Sequence, residues 1–190
     1  MTDDAKLQTT DLKIAPVSAA AVANEFLDLS AQEPTCPPID QMKLQKLIFY
    51  AHGWHLAIKD NPLFEEDIEA WPWGPIVRDI YSQTAAFGRR PVSGRMTKLI
   101  VPPGENFLRA KFVQQFVEDS QTKEFIKAVW DIHKMYTGIQ LSNATHAAGE
   151  PWTLVKEQYG SLDGKPTIPN DLIGVVFKKK IERAKSNTSA

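Results

Sequence analysis

KLQKLIFYAHGWHLAI, residues 43–58, is the stretch on which the fold turns. At about 100° per residue, Leu44, Leu47, Ile48, Ala51, Trp54, His55 and Ile58 share one broad face. Phe49 and Leu56 fall on the neighbouring flank, which leaves a narrow polar strip around Lys46 and Gly53. A helix apolar over most of its circumference belongs at the centre of a core. Asp40 offers an N-cap before it and Asn61-Pro62 breaks the pattern after it, so the spacing predicts a central helix over residues 41–59.

Outward from that helix the chain reads as further helices. Upstream, Ser18 caps a helix to about residue 31 carrying Val22, Phe26 and Leu29 at helical spacing, and EPTCPP stops it. Downstream, LFEEDIEAW has the content of a short strand, and Pro72, Gly74 and Pro75 force a turn. Pro75 then suits the first turn of a helix striped by Val77, Ile80, Tyr81 and Ala85 and ending at Gly88. KLIV at 98–101 predicts a strand or small hairpin followed by a loop.

Phe125, Val129, Ile132 and Tyr136 predict a helix closed by Gly138. LSNATHAA forms a short helix to Gly149, Pro151 opens another, and Asn170 caps a last one with a cationic end. The expected architecture is mainly α with a small antiparallel β element: one compact helical domain over residues 16–185, in which the hairpin is winged-helix-like. Polar, unpatterned tails are expected at 1–15 and 186–190.

Composition bounds the function. The 190 residues carry 22 basic and 23 acidic side chains, a net charge of -1, which argues against binding nucleic acid over the whole surface. At 43% hydrophobic and 24% charged, the chain has the profile of a soluble globular protein. Cys36 is the one cysteine, so neither a disulfide framework nor a CxxC-type zinc site can form within the chain. The start lacks the apolar run of a secretory signal, and a reduced, cytoplasmic protein is expected. No phosphate-binding loop or nucleophile elbow occurs, and the expectation is a protein that is not an enzyme and holds no cofactor or metal.

Two separated stretches go beyond generic pattern: KLQKLIFYAHGWHLAI continuing into NPLFEEDIEAWPWGPIVRDIY at residue 81, and LSNATHAAGEPW at 141–152. Together they resemble the Panacea domain, the SocA-like antitoxin family also met among phage-associated proteins. There, a helix of the first type precedes an EAW-x-x-GPV turn, and a TH-x-x-x-PW segment follows. His52 stands where that pattern has glutamine, and Trp73 where it has tyrosine. The resemblance spans roughly residues 40–160 and implies a binding role: an antitoxin of a type II toxin–antitoxin pair that neutralises its toxin by direct contact. It further implies a cognate toxin encoded by an adjacent gene and, in one branch, an adaptor that hands the toxin to an AAA+ protease.

The residues expected to meet a partner are Trp71, Trp73, Arg78 and Tyr81 around the AWPWGP turn, with Gln45 and His52 on the flank of the central helix. Tryptophan offers large contact area at little conformational cost, although both rings could equally seal the core beneath the turn. His55, Gly74, Pro75, His146, Pro151 and Trp152 are expected to be structural. His52, His55, His146 and Glu150 form a formal ligand set, but hydrogen-bonded core histidines are the plainer reading. Glu65, Glu66, Asp67 and Glu69 read as a solvated acidic edge. An alternative places a DNA-binding wing at Arg89, Arg90, Arg95 and Lys98. Against it, four charges are few for phosphate binding.

Overall fold

The computed structural model describes residues 16–188, and the N-terminal segment 1–15 lies outside them. Seven helices and two small antiparallel hairpins follow in the order α1 (Ala19–Gln32), α2 (Gln41–Lys59), β1 (Ile68–Trp71), β2 (Gly74–Val77), α3 (Arg78–Thr84), β3 (Thr97–Ile100), β4 (Lys111–Gln114), α4 (Ser120–His133), α5 (Gly138–Thr145), α6 (Pro151–Tyr159) and α7 (Asn170–Thr188). The chain is mainly α with a small antiparallel β component. Residues 186–188 continue α7 as helix, so only 189–190 of the expected C-terminal tail fall outside the described residues.

The caps are where the local chemistry puts them. The Ser18 hydroxyl accepts from Ala21 N–H and the Asp40 carboxylate from Lys43 N–H, each satisfying an otherwise orphaned donor. α2 is the hub, packed by α1, α4, α5 and α7. Leu44, Leu47, Ile48, Phe49 and Ala51 are buried, and so is Gly53, because α7 crosses there: a Cβ on Gly53 would lie 2.5 Å from the Phe177 ring.

Several expectations are corrected. The polar strip of α2 does not exist: Lys43 and Lys46 are fully buried, each with its ammonium on backbone carbonyls. Lys43 donates to Pro37 O and Lys134 O, both at 2.7 Å, and so ties the proline loop after α1 to the end of α4. Ile58, placed on the core face, is exposed. Pro75 lies in β2, and the helix begins only at Arg78. α4 is rotated from its expected stripe: Ile126, Val129, Trp130 and His133 face inward while Ile132 and Tyr136 face out. Both sets fit a 3.6 period, so spacing alone could not choose between them. Gly138 opens α5 and does not close α4, with Thr137 as its cap. It approaches α2 so closely that a Cβ would sit 2.8 Å from Lys43 N.

Candidate functional site

The AWPWGP segment forms the tip of the β1–β2 hairpin, with Ile68 opposite Val77 and Trp71 opposite Gly74. Pro72 and Trp73 make the two-residue connection, and Gly74 adopts φ +107°, a conformation open to glycine at no steric cost. The hairpin is then bolted to α2 by two consecutive side chains. Val77 N–H donates to Gln45 Oε1 at 2.8 Å, and Gln45 Nε2 donates to Val77 O at 3.3 Å. Lys46 Nζ donates to Pro75 O at 3.1 Å. Without a carboxylate partner, its burial pushes the ammonium pKa down to about 7.

The second motif arrives from the opposite side. Trp152 Nε1–H donates to Trp71 O at 2.7 Å, and Ser142 Oγ donates to Trp73 O at 3.0 Å. His146 stacks on Trp152 with ring centroids 3.9 Å apart. Burial, followed by the charges of Lys46 and Lys156, lowers the pKa of this histidine. Gly74 lies against both Lys46 and Thr145, since a Cβ there would be 2.8 Å from Lys46 Nζ and 3.0 Å from Thr145 Oγ1. Residues separated by some seventy positions thus converge on the tip of the hairpin. Pro151 occupies the first turn of α6 and positions Trp152.

Two adjacent tryptophans have opposite surroundings. Trp71 is half-buried: its ring packs on Tyr81 at 4.7 Å, Lys165 Nζ lies 3.8 Å from its centroid, and its Nε1–H donates to Glu69 at 2.7 Å. The same carboxylate accepts two bonds of 2.9 Å from Arg78. Trp73, by contrast, is 71% exposed. Both rings, with Met42, Ile76 and Tyr81, wall a cleft of about 270 Å³ whose inner end is formed by Gln45 and Lys46. The structure therefore gathers Trp71, Trp73, Arg78 and Tyr81 at one surface, but Gln45 and His52 are not on an accessible flank. Gln45 is buried behind the hairpin, and His52 is fully buried with its Nε2–H donating to Asn170 Oδ1 at 2.9 Å.

These motifs coincide with a family signature. Residues 44–153 match the model of the SocA-like antitoxins with the Panacea domain. The chain belongs to that family. It is similar to Antitoxin SocA of Caulobacter vibrioides (strain NA1000 / CB15N), with 31% identity over 145 residues, covering 76% of this chain and 73% of that protein. No solved structure gives a significant match.

For this Panacea domain the remaining expected residues can be placed. His55 is a core histidine whose Nδ1 meets Asn61 O at 2.8 Å, and burial lowers its pKa. Glu150 pairs with Lys180 at 2.7 Å, away from any histidine bond. Among the described residues, no three or more His, Cys, Asp or Glu side chains are grouped to hold a metal ion. No described helix is long and apolar enough to cross a membrane.

The acidic edge is split. Glu65 and Asp67 are exposed, whereas Glu69 binds Arg78 and Glu66 accepts from Ala19 N–H at 3.2 Å at the start of α1. The basic segment is similarly engaged: Arg95 pairs with Asp28, Arg90 donates to Ala86 O at 2.8 Å, and Lys98 lies 3.7 Å from Glu66. Of the four, Arg89 alone makes no hydrogen bond or ion pair among the described residues.

Lys46 is the site residue that sequence reasoning missed. The available signal was a lysine inside a helix otherwise apolar all round, a position that demands either a strip of solvent or a buried acceptor.

Proposed function

We propose that this chain is an antitoxin that neutralises a cognate protein toxin by direct contact, with the Trp73 turn as part of the covering surface. Trp73 carries the reading. Its indole projects into solvent while its own carbonyl is held by Ser142, and the flanking Trp71 and Pro75 are held by α6 and α2. A large rigid ring on an immobilised backbone loses little entropy on binding, which is the character of an interface anchor. Trp71, Tyr81 and Arg78 shape the cleft beside it, and the family relationship supports a toxin as the occupant. Gln45 supports this surface from beneath through Val77, whereas His52, buried against Asn170 and Phe64, is not part of it.

The test is a growth assay in which the toxin, taken from the reading frame adjacent to the gene, is induced alone and with this protein. Rescue by the wild type with co-purification of the pair is the expected result. Trp73→Ala should lose rescue while its helical circular dichroism and unfolding midpoint stay unchanged. Rescue that survives this change, or a variant that loses fold and rescue together, overturns the placement. Toxin abundance separates two modes of action. Occlusion leaves its level constant, whereas delivery to an AAA+ protease depletes it.

A further inference from the structure

Half of the exposed large apolar side chains among the described residues fall within 99–116, so the β3–β4 hairpin and its connection are where uncovered apolar surface is most concentrated. Phe112 is 76%, Phe107 71% and Leu108 89% exposed. The register sets Leu99 opposite Phe112, Lys98 opposite Val113 and Ile100 opposite Lys111. Directly paired residues share a face and successive residues alternate. One face of the ribbon is therefore built on Leu99 and Phe112. The other sets Lys98 and Lys111 on one diagonal and Ile100 and Val113 on the other.

The sheet ends at two strands. On β3, the Gln83 side chain already accepts from Thr97 N–H at 2.8 Å and donates to Thr97 O at 3.0 Å, which blocks the start of that strand. On β4 all four residues are exposed, and its outer side pairs with no strand among the described residues. A two-stranded ribbon is marginal in water, and an open edge templates a further strand.

We propose that β4 is a docking edge for an extended segment of a partner protein in which apolar and acidic residues alternate. Main-chain bonds along β4 hold the segment as a third strand. Its apolar side chains extend the Leu99–Phe112 face, and its carboxylates meet Lys111 on the other. Charge selects this occupant. Of the cations in residues 96–116, Lys98 already lies 3.7 Å from Glu66 and Arg109 3.9 Å from Glu105, which leaves Lys111 on β4 without an acidic partner among the described residues, and a second copy of the chain would bring only another Lys111 to it. Duplex DNA would use the lysines and leave the apolar face in water.

The experiment is fluorescence anisotropy with two labelled peptides of about ten residues, one alternating valine and glutamate and the other valine and lysine. The glutamate peptide should bind the full chain at least about tenfold more tightly, with a preference that shrinks as salt rises. Lys111→Glu should invert the preference, and Phe112→Ser should weaken both peptides. Both positions are exposed, and circular dichroism checks that the variants stay folded. Equal affinities, no binding, or a preference untouched by Lys111→Glu overturns the proposal. So does retardation of duplex DNA in the same buffer, or a concentration-dependent dimer abolished by Phe112→Ser. No toxin enters this measurement, so its outcome is separate from that of the growth assay.

Discussion

Gln45 on α2 and Val77 at the end of β2 are joined through both backbone groups of the valine, at 2.8 and 3.3 Å. A buried side-chain amide thereby takes the place of a neighbouring strand. With Lys46 on Pro75 O, it holds a hairpin of only two four-residue strands against a helix. The exposed Trp73 inherits its fixed position from these interior bonds.

Replacing Gln45 with Leu should therefore cost stability out of proportion to its volume change. It leaves a buried N–H and C=O of Val77 without partners, a penalty of about 2–4 kcal/mol in total. Urea unfolding measures the loss, and Gln45→Glu, which keeps the acceptor alone, should fall between the two.

Lys46→Met exchanges a buried ammonium for an apolar chain of similar shape and should stabilise the protein at neutral pH, although it leaves Pro75 O without its donor, a loss of about 1–3 kcal/mol that offsets part of the gain. The gain depends on pH. Burial lowers the Lys46 pKa from 10.5 to about 7. Between those values the unfolded chain holds a proton that the folded chain has released, so wild-type stability rises with pH. The advantage of methionine is accordingly full below pH 7 and shrinks towards pH 10.5. Thermal melts of both proteins across that range provide the check.

Acid should unfold the protein earlier than its carboxylates alone would require. Burial, opposed by the Asn170 bond and aided by the charge of His55, pushes the His52 pKa from 6.5 down to about 4. His55, His133 and His146 are lowered as well, each chiefly by burial. In that window the unfolded chain binds more protons, so stability falls as the pH drops from 6.5 to 4. His52→Gln, which retains an N–H for Asn170, should flatten the decline in melting temperature over the same interval.

Gly53→Ala tests the α2–α7 crossing. The added methyl would lie 2.5 Å from the Phe177 ring. Overpacking of this kind costs about 1–3 kcal/mol, more than the roughly 1 kcal/mol that alanine returns through helix propensity. Phe177→Leu should relieve part of the clash, and a double-mutant cycle in chemical denaturation should give a coupling between the two positions.

Much of this architecture was legible in the residues. Ser18 and Asp40 announce their helices because a side-chain oxygen satisfies orphan donors within its own turn, a purely local event. Pro151 marks α6 for a similar reason. The alternating surroundings of the two tryptophans were not legible, because both readings of the AWPWGP turn are locally equivalent. Which ring is covered depends on Tyr81 of α3 and on Lys165, brought from the loop after α6. β4 escaped notice because KFVQ is four residues long and exposed on both faces, without the alternation that marks a half-buried strand.

By itself the sequence determined what is decided within a turn or two: the helices, most of their caps, a turn at Pro72–Gly74, and the two motifs that carry the family. Tertiary structure alone decided which polar groups are interior. Lys43, Lys46, Gln45 and His52 read as surface on a helical wheel, yet each is buried because a carbonyl or amide from a distant segment meets it. A polar group enters a core only where its hydrogen bonds are replaced. Those replacements come from the end of α4, β2 and α7, whose positions no local spacing encodes.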